Sequence, residues 1–113
     1  MSGNPENFEF AFIFRTHDPG LRQEIERIVP PGDLSVSDNF IGGAELAVFL
    51  KYGGDMLKTI MDVLNQRTAA VASAKIVVGQ EEFHLEGYSA DEATKILNSP
   101  GFLRALKSTQ HAR

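Results

Sequence analysis

The sequence predicts an α+β two-layer sandwich, with a sheet of about four strands and helices mainly on one face. Three observations lead to this class: phenylalanines at alternating positions near the start, a long apolar segment at Ile41–Arg67, and a hairpin pattern followed by two helical segments with capping residues. The expected order of elements is β-α-β-α-β-β-α-α.

The first strand is predicted at FEFAFIFR, residues 8–15. Side chains alternate between the two faces of a strand, so its phenylalanines share one face and need a layer of helix over them. The second face keeps Ala11 and Ile13 between Glu9 and Arg15, so we expect an interior strand whose second side is less fully covered. The phenylalanines of this strand are Phe8, Phe10, Phe12 and Phe14.

A helix and a short strand are predicted next. The Asp-Pro pair at residues 18–19 is typical of a helix N-cap and first helical position, and Pro-Pro-Gly at 30–32 would end that helix. The segment LSVSDNF that follows is short and polar, as is typical of a strand near a sheet edge. Leu34 and Val36 share one face of it, and Asp38 belongs to that face if the strand extends so far.

The segment 41–67 predicts a long central helix, because its apolar residues recur at spacings of three and four. One Gly-Gly pair, at 42–43, precedes it, and another, at 53–54, interrupts it. Each interior glycine costs about 1 kcal/mol relative to alanine. Close backbone packing or a break between two shorter helices would offset that cost, and the sequence leaves both open. The predicted buried face is Leu46, Leu50, Gly53, Leu57, Ile60 or Met61, and Leu64.

A hairpin and two further helices complete the prediction. Residues 74–79 and 83–87 form its strands, joined through residues 80–82. The sequence SADE at 89–92 is a capping box, and Ser-Pro at 99–100 is typical of a second helix start.

Composition is that of one globular domain: 113 residues, 42% hydrophobic and 23% charged. The chain has no cysteine, which excludes disulfides and thiolate chemistry and fits a reducing compartment. No apolar run of about 18 residues and no signal-peptide pattern occur, so we expect a cytoplasmic protein without membrane contact.

The expected organisation is a flexible tail at 1–7, a domain at 8–108 and a C-terminal tail at 109–113.

The net charge of −4 is unevenly distributed, with −5 over residues 1–62 and no acidic residue after Glu92. Bases near a helix C-terminus complement the helix dipole. A phosphate backbone needs a denser basic face than this chain offers, so nucleic acid is not expected as a partner.

No group of residues is typical of catalysis. His17 adjoins Asp18, but that aspartate is needed as an N-cap. His84 and Glu86 share the outer face of the hairpin without a third ligand, and His111 lies near the C-terminus. No phosphate-binding glycine pattern occurs. We therefore expect no catalytic, cofactor or metal site, and a protein that is not an enzyme.

One resemblance spans roughly residues 8–98. The segments AELAVFL, DMLKTIMDVLNQR and KIVVGQEEFHLEGYSADEATKIL, with the Gly-Gly step between the first two, resemble the effector-associated constant component family of bacterial conflict systems. The resemblance implies that AELAVFL is helical. It also implies a small non-enzymatic adaptor that couples to variable effectors in bacterial defence, such as proteases or nucleotide-binding switches. It assigns no catalytic residue.

The leading interpretation is a protein-interaction adaptor tied to an effector. Its expected docking surface is the edge strand with Leu34, Val36 and Asp38, or the outer face of the first strand, which includes Glu9. Whether the chain forms homo-oligomers is left open. One alternative is a regulatory domain with a small-molecule pocket opened by Gly53-Gly54 beneath the strand phenylalanines. Another is an acidic inhibitor or immunity protein that masks a basic enzyme site.

Overall fold

The computed structural model describes residues 9–38, 43–51, 55–87 and 90–111. Within these ranges the chain forms a five-stranded antiparallel sheet and four helices, which confirms the α+β class. The strands are β1 (Phe10–Thr16), β2 (Leu34–Ser37), β3 (Ala44–Leu50), β4 (Val71–Val78) and β5 (Glu81–His84). The helices are α1 (Pro19–Ile28), α2 (Met56–Gln66), α3 (Ala90–Leu97) and α4 (Pro100–His111).

The strand order is β2-β3-β1-β4-β5, and every neighbouring pair is antiparallel. The phenylalanine strand β1 lies in the middle of the sheet, and the short polar strand β2 lies at one edge. Both positions agree with the sequence-based expectation. Both faces of β1 carry apolar side chains. A strand in the middle of the sheet has a neighbouring strand on each side whose side chains flank them, so the central position suits β1.

The core lies between one face of the sheet and the helices. Phe12 and Phe14 are fully buried there, and their neighbours across β1 are Val48 and Leu46 on β3 and Ile76 and Ala74 on β4. Side chains on every second strand position therefore form one continuous apolar layer. The helices contribute the buried residues Leu21, Ile25, Leu57, Ile60, Met61, Leu64, Ala93, Phe102, Ala105 and Leu106.

The predicted central helix is wrong in its first half, because Ala44–Leu50 is strand β3. Leu46 and Leu50 are four residues apart, which fits a helix face, but they are also two strand periods apart. The burial alternates strictly at every second residue from Ala44 to Leu50, as in a strand with one covered face. Val48 and Phe49 also favour strand by their side-chain shape. This strand is the one that raises the sheet from about four strands to five.

The second half of that prediction is confirmed, since α2 spans Met56–Gln66 and buries Leu57, Ile60, Met61 and Leu64. The observed order is therefore β-α-β-β-α-β-β-α-α. Gly53-Gly54, the tail at 1–7 and the first residue of the predicted capping box, Ser89, lie outside the described residues.

The other predicted elements are present, with different bounds at the hairpin turn and at the C-terminal end. The carboxylate of Asp18 accepts a hydrogen bond from the Gly20 N–H at 2.9 Å and caps α1. The hairpin turn is tighter than predicted: Val78 pairs with Glu81, which leaves Gly79 and Gln80 as the turn. Gly79 has a φ of 58°, a left-handed conformation that glycine adopts without steric cost. At the C-terminal end, α4 continues to His111, past the predicted domain boundary at residue 108.

The second side of the sheet is called the open face below. The core cluster of the described residues contains no side chain from it. Its members on β1, β3, β4 and β5 are Ala11, Ile13, Arg15, Glu45, Ala47, Phe49, Lys75, Val77, Glu82 and His84, placed there by strand alternation and register.

None of the helices in the described part of the chain combines the length and apolar character that crossing a membrane requires.

Candidate interaction surface

The edge strand β2 has a single strand neighbour in the described part of the chain, β3. The pairing runs from Leu34 opposite Val48 to Ser37 opposite Glu45. The backbone donors and acceptors on the outer side of an edge strand are available to another chain. β2 is therefore one of the two edges at which this sheet could be extended.

The proline run at residues 30–31 determines where β2 begins. Pro31–Asp33 forms one turn of 3₁₀ helix, in which the Asp33 N–H donates to the Pro30 carbonyl at 2.9 Å. This turn separates α1 from the strand and leaves Leu34 and Val36 directed toward the helix layer, where they pack partly buried against the core. Alternation places Ser35 and Ser37 on the opposite side.

A groove of about 300 Å³ lies between β2 and the end of α1, and we call it the edge groove. Its wall is mostly apolar, with one carboxylate at its margin. The lining residues are Glu26, Val29, Pro31, Leu34 and Val36. Val29 is buried, so the floor of the groove is continuous with the core.

Asp38 lies just beyond β2 and is held by α1. Its Oδ1 accepts a hydrogen bond from Nη1 of Arg22 at 2.8 Å, and Nε of the same arginine lies 3.4 Å from Oε2 of Glu26. The trio of one arginine and two carboxylates has a formal charge of −1. The Asp38 side chain remains 62% exposed, so a partner can reach it.

The structure separates the predicted surface residues into two groups. Leu34, Val36 and Asp38 lie together at the β2 edge. Glu9 directly precedes β1, where its N–H donates to the Leu50 carbonyl at 2.7 Å, and strand alternation places its side chain on the open face. The two surfaces that the sequence offered as alternatives are therefore distinct sites.

Three residues of the edge groove, Glu26, Val29 and Pro31, were missed as site residues by sequence reasoning. The Pro-Pro-Gly run predicts only the end of a helix, and no pattern in the sequence marks Glu26 or Val29 as a site residue. The available signal was the short connection between α1 and β2, which keeps the end of the helix beside the strand.

The opposite edge of the sheet, β5, is chemically different. Its sequence EEFH carries Glu81, Glu82 and His84. Glu82 lies 3.3 Å from Nζ of Lys75 and 3.6 Å from Nε2 of His84. Charged side chains on an edge strand disfavour pairing with another chain. β2 carries no charged residue within its four positions, so the two edges differ in their ability to accept a strand.

The structure places His17 and His84 at separate sites, one at the end of β1 and the other on β5. No group of three or more metal-binding side chains occurs among the described residues. His17 is exposed at the end of β1, and Asp18 is used as the α1 cap and lies 3.5 Å from Nη1 of Arg67. Nε2 of His84 lies 3.6 Å from Oε1 of Glu82 on the same strand.

The glycine pair at 42–43 has a packing role at its second member. A Cβ on Gly43 would lie 2.5 Å from the Thr16 carbonyl oxygen and 3.0 Å from Nδ1 of His17. The start of β3 can approach the end of β1 this closely only because residue 43 has no side chain. Gly42 lies outside the described residues.

A second groove bears on the alternative of a small-molecule pocket, and it lies next to the undescribed residues 52–54. A groove of about 280 Å³ lies at the end of β3, with Phe49, Lys51 and Asp55 among its lining residues. Phe12 and Phe14 are fully buried and do not line it.

Comparison of the chain with protein-family models, with curated proteins and with solved structures finds no match.

Proposed function

We propose that this protein is a non-catalytic interaction module that receives an extended segment of a protein partner along β2. The observation that carries this proposal is an uncharged edge strand beside an apolar groove. An added strand would satisfy the outer backbone groups of Leu34–Ser37 and place alternate side chains over the helix layer. The edge groove lies where such a side chain would enter.

The lining of the groove indicates the chemistry of the partner. Val29, Pro31, Leu34 and Val36 would take an aliphatic or aromatic side chain, because its apolar surface is then removed from water. A basic residue next to it in the incoming segment would lie near the carboxylate of Glu26. The favoured partner segment is therefore extended, with an apolar anchor and a neighbouring lysine or arginine.

The cellular setting of the proposal rests on the family resemblance. An adaptor that resembles the effector-associated constant components would present its partner to, or couple it with, an effector of a bacterial defence or signalling system in the cytoplasm. A protease or a nucleotide-binding switch is the effector class that this resemblance implies.

The test uses the full chain with an affinity tag, the variant Val36→Lys and a control, Leu103→Lys. Val36 faces the edge groove, whereas Leu103 is 41% exposed on α4 and is the exposed large apolar residue of the described part. Partners captured from the native cell by the wild-type chain are identified by mass spectrometry. We expect Val36→Lys to lose the partner and Leu103→Lys to keep it.

A second measurement locates the contact. Hydrogen exchange of the purified chain, alone and with the captured protein, should show slower exchange at the β2 amides and unchanged exchange at β5. The proposal is wrong if the partner binds Val36→Lys as it binds the wild-type chain, or if slower exchange occurs only elsewhere.

A further inference from the structure

The open face has an apolar centre, which is unusual for the solvent side of an antiparallel sheet. Two adjacent rows cross the strands there. In the first, Phe49 and Val77 flank Ala11 on the central strand, and in the second, Ala47 and Lys75 flank Ile13. Ala11 is only 9% exposed, while Ile13, Phe49 and Val77 are half-buried. The result is a continuous strip of five apolar side chains.

The charges around this strip are already paired within the chain. Nε of Arg15 lies 3.3 Å from Oε2 of Glu45, and Nζ of Lys75 lies 3.3 Å from Oε2 of Glu82. These four side chains sum to zero, and Glu9, on the same face just before β1, adds one negative charge, whereas the whole chain carries −4. A strongly charged partner gains little from such a surface, whereas two copies meet there with little net repulsion.

The size of the face also fits a second copy. With a strand spacing of about 4.8 Å and a rise of about 3.3 Å per residue, the five strands cover about 500 Å² of plane. Two such faces in contact would cover about 1,000 Å² in total, which reaches the lower limit for a specific interface. An apolar centre with a polar margin is the usual arrangement of such an interface.

We propose that the open face is a self-association site through which two copies pack sheet on sheet. The two sheets would lie about 10 Å apart, with Ile13 of the central strand near a two-fold axis. This inference does not depend on the function proposed for β2. Packing through the face leaves both β2 edges at the periphery of the pair.

The wild-type chain tests this directly. Analytical ultracentrifugation or light scattering over a concentration series should show the mass rise from 12.4 kDa toward twice that value. A face of this size predicts weak association, so the series should extend to millimolar concentration. A mass that stays at 12.4 kDa throughout overturns the proposal.

Variants then show which surface makes the contact. Ile13→Lys should keep the chain at the monomer mass at every concentration. If circular dichroism shows that Ile13→Lys does not fold, the same measurement is made on Phe49→Lys, at the flank of the same strip. Leu103→Lys and Val36→Lys, on the helix layer and at the β2 edge, should leave the association unchanged. Self-association that survives both open-face changes, or that is lost in Val36→Lys alone, places the contact elsewhere and overturns the proposal.

Discussion

Nη1 of Arg22 lies 2.8 Å from Oδ1 of Asp38, and this contact ties the first helix to the residue that follows the edge strand. The same arginine reaches Glu26, which lines the edge groove. One side chain therefore links the groove, the helix and the end of β2.

The coupling between Arg22 and Asp38 is measurable by a double-mutant cycle with Arg22→Gln, Asp38→Asn and the double variant. The Asp38 side chain is 62% exposed and that of Arg22 is 35% exposed, so we expect a coupling of at most about 1 kcal/mol in the free energy of urea unfolding. Amide exchange at β2 should accelerate in each single variant. A coupling of zero with unchanged exchange would show that this ion pair does not hold the edge strand.

The close approach of β3 to β1 predicts a large effect of a small substitution at Gly43. In Gly43→Ala the new methyl group would meet the Thr16 backbone at 2.5 Å, so strand ends must separate. We expect a loss of about 1–3 kcal/mol in the free energy of unfolding. Gly87→Ala is the matched control, because a Cβ there meets no atom within 4 Å. Equal stability of the two variants would contradict the close-packing interpretation.

The ring of Phe102 on α4 is buried between two other aromatic rings, so its removal should strongly lower the stability of the fold. Its ring lies 5.4 Å from that of Phe10 and 5.8 Å from that of Phe83, both in edge-to-face geometry. Phe102→Ala should cost about 3–5 kcal/mol, since a fully buried ring is replaced by a cavity. Leu103→Ala, the exposed neighbour, should cost far less. Thermal or urea unfolding followed by circular dichroism compares the two.

Ser99 caps the start of α4, and we expect this cap to contribute to the free energy of unfolding. Its Oγ accepts a hydrogen bond from the Phe102 N–H at 3.2 Å and donates one to the Ile96 carbonyl at 2.7 Å. Removing both in Ser99→Ala should lower the free energy of unfolding by about 1 kcal/mol. Ser108→Ala, at an exposed position of the same helix, is the control. If the two changes have the same effect on the urea midpoint, the cap does not stabilise α4.

Much of the fold could be predicted because local patterns and tertiary packing agree. The alternating phenylalanines of β1, the Asp18 cap and the hairpin each carry their own signal. AELAVFL carries a mixed signal. Its leucines satisfy a helical and a strand period at once, while Val48 and Phe49 favour a strand. Pairing with β1 decides between the two. The choice of strand depends on contacts with residues more than 30 positions away in the register, such as Leu46 with Phe14.

The candidate site, like the fold, could be predicted from the sequence only in part. Leu34 and Val36 were predicted at an edge from the short polar strand they belong to. Their groove partners are Glu26 in α1 and Val29, the residue that caps its end. The short connection keeps the end of the helix near the strand, but the way the two pack together depends on the tertiary structure. The separation of Glu9 from the β2 edge likewise depends on sheet order, which alternation within single strands does not encode.

The chemical difference between the two sheet edges has a consequence for stoichiometry. A segment that binds at β2 belongs to a different protein, and the charged side chains of β5 disfavour strand pairing at the opposite edge. Repeated strand addition between copies of this chain is therefore disfavoured, and the proposed contact at β2 takes one partner segment for each module. If two copies also pair through their open faces, the expected complex contains two modules and two partner segments.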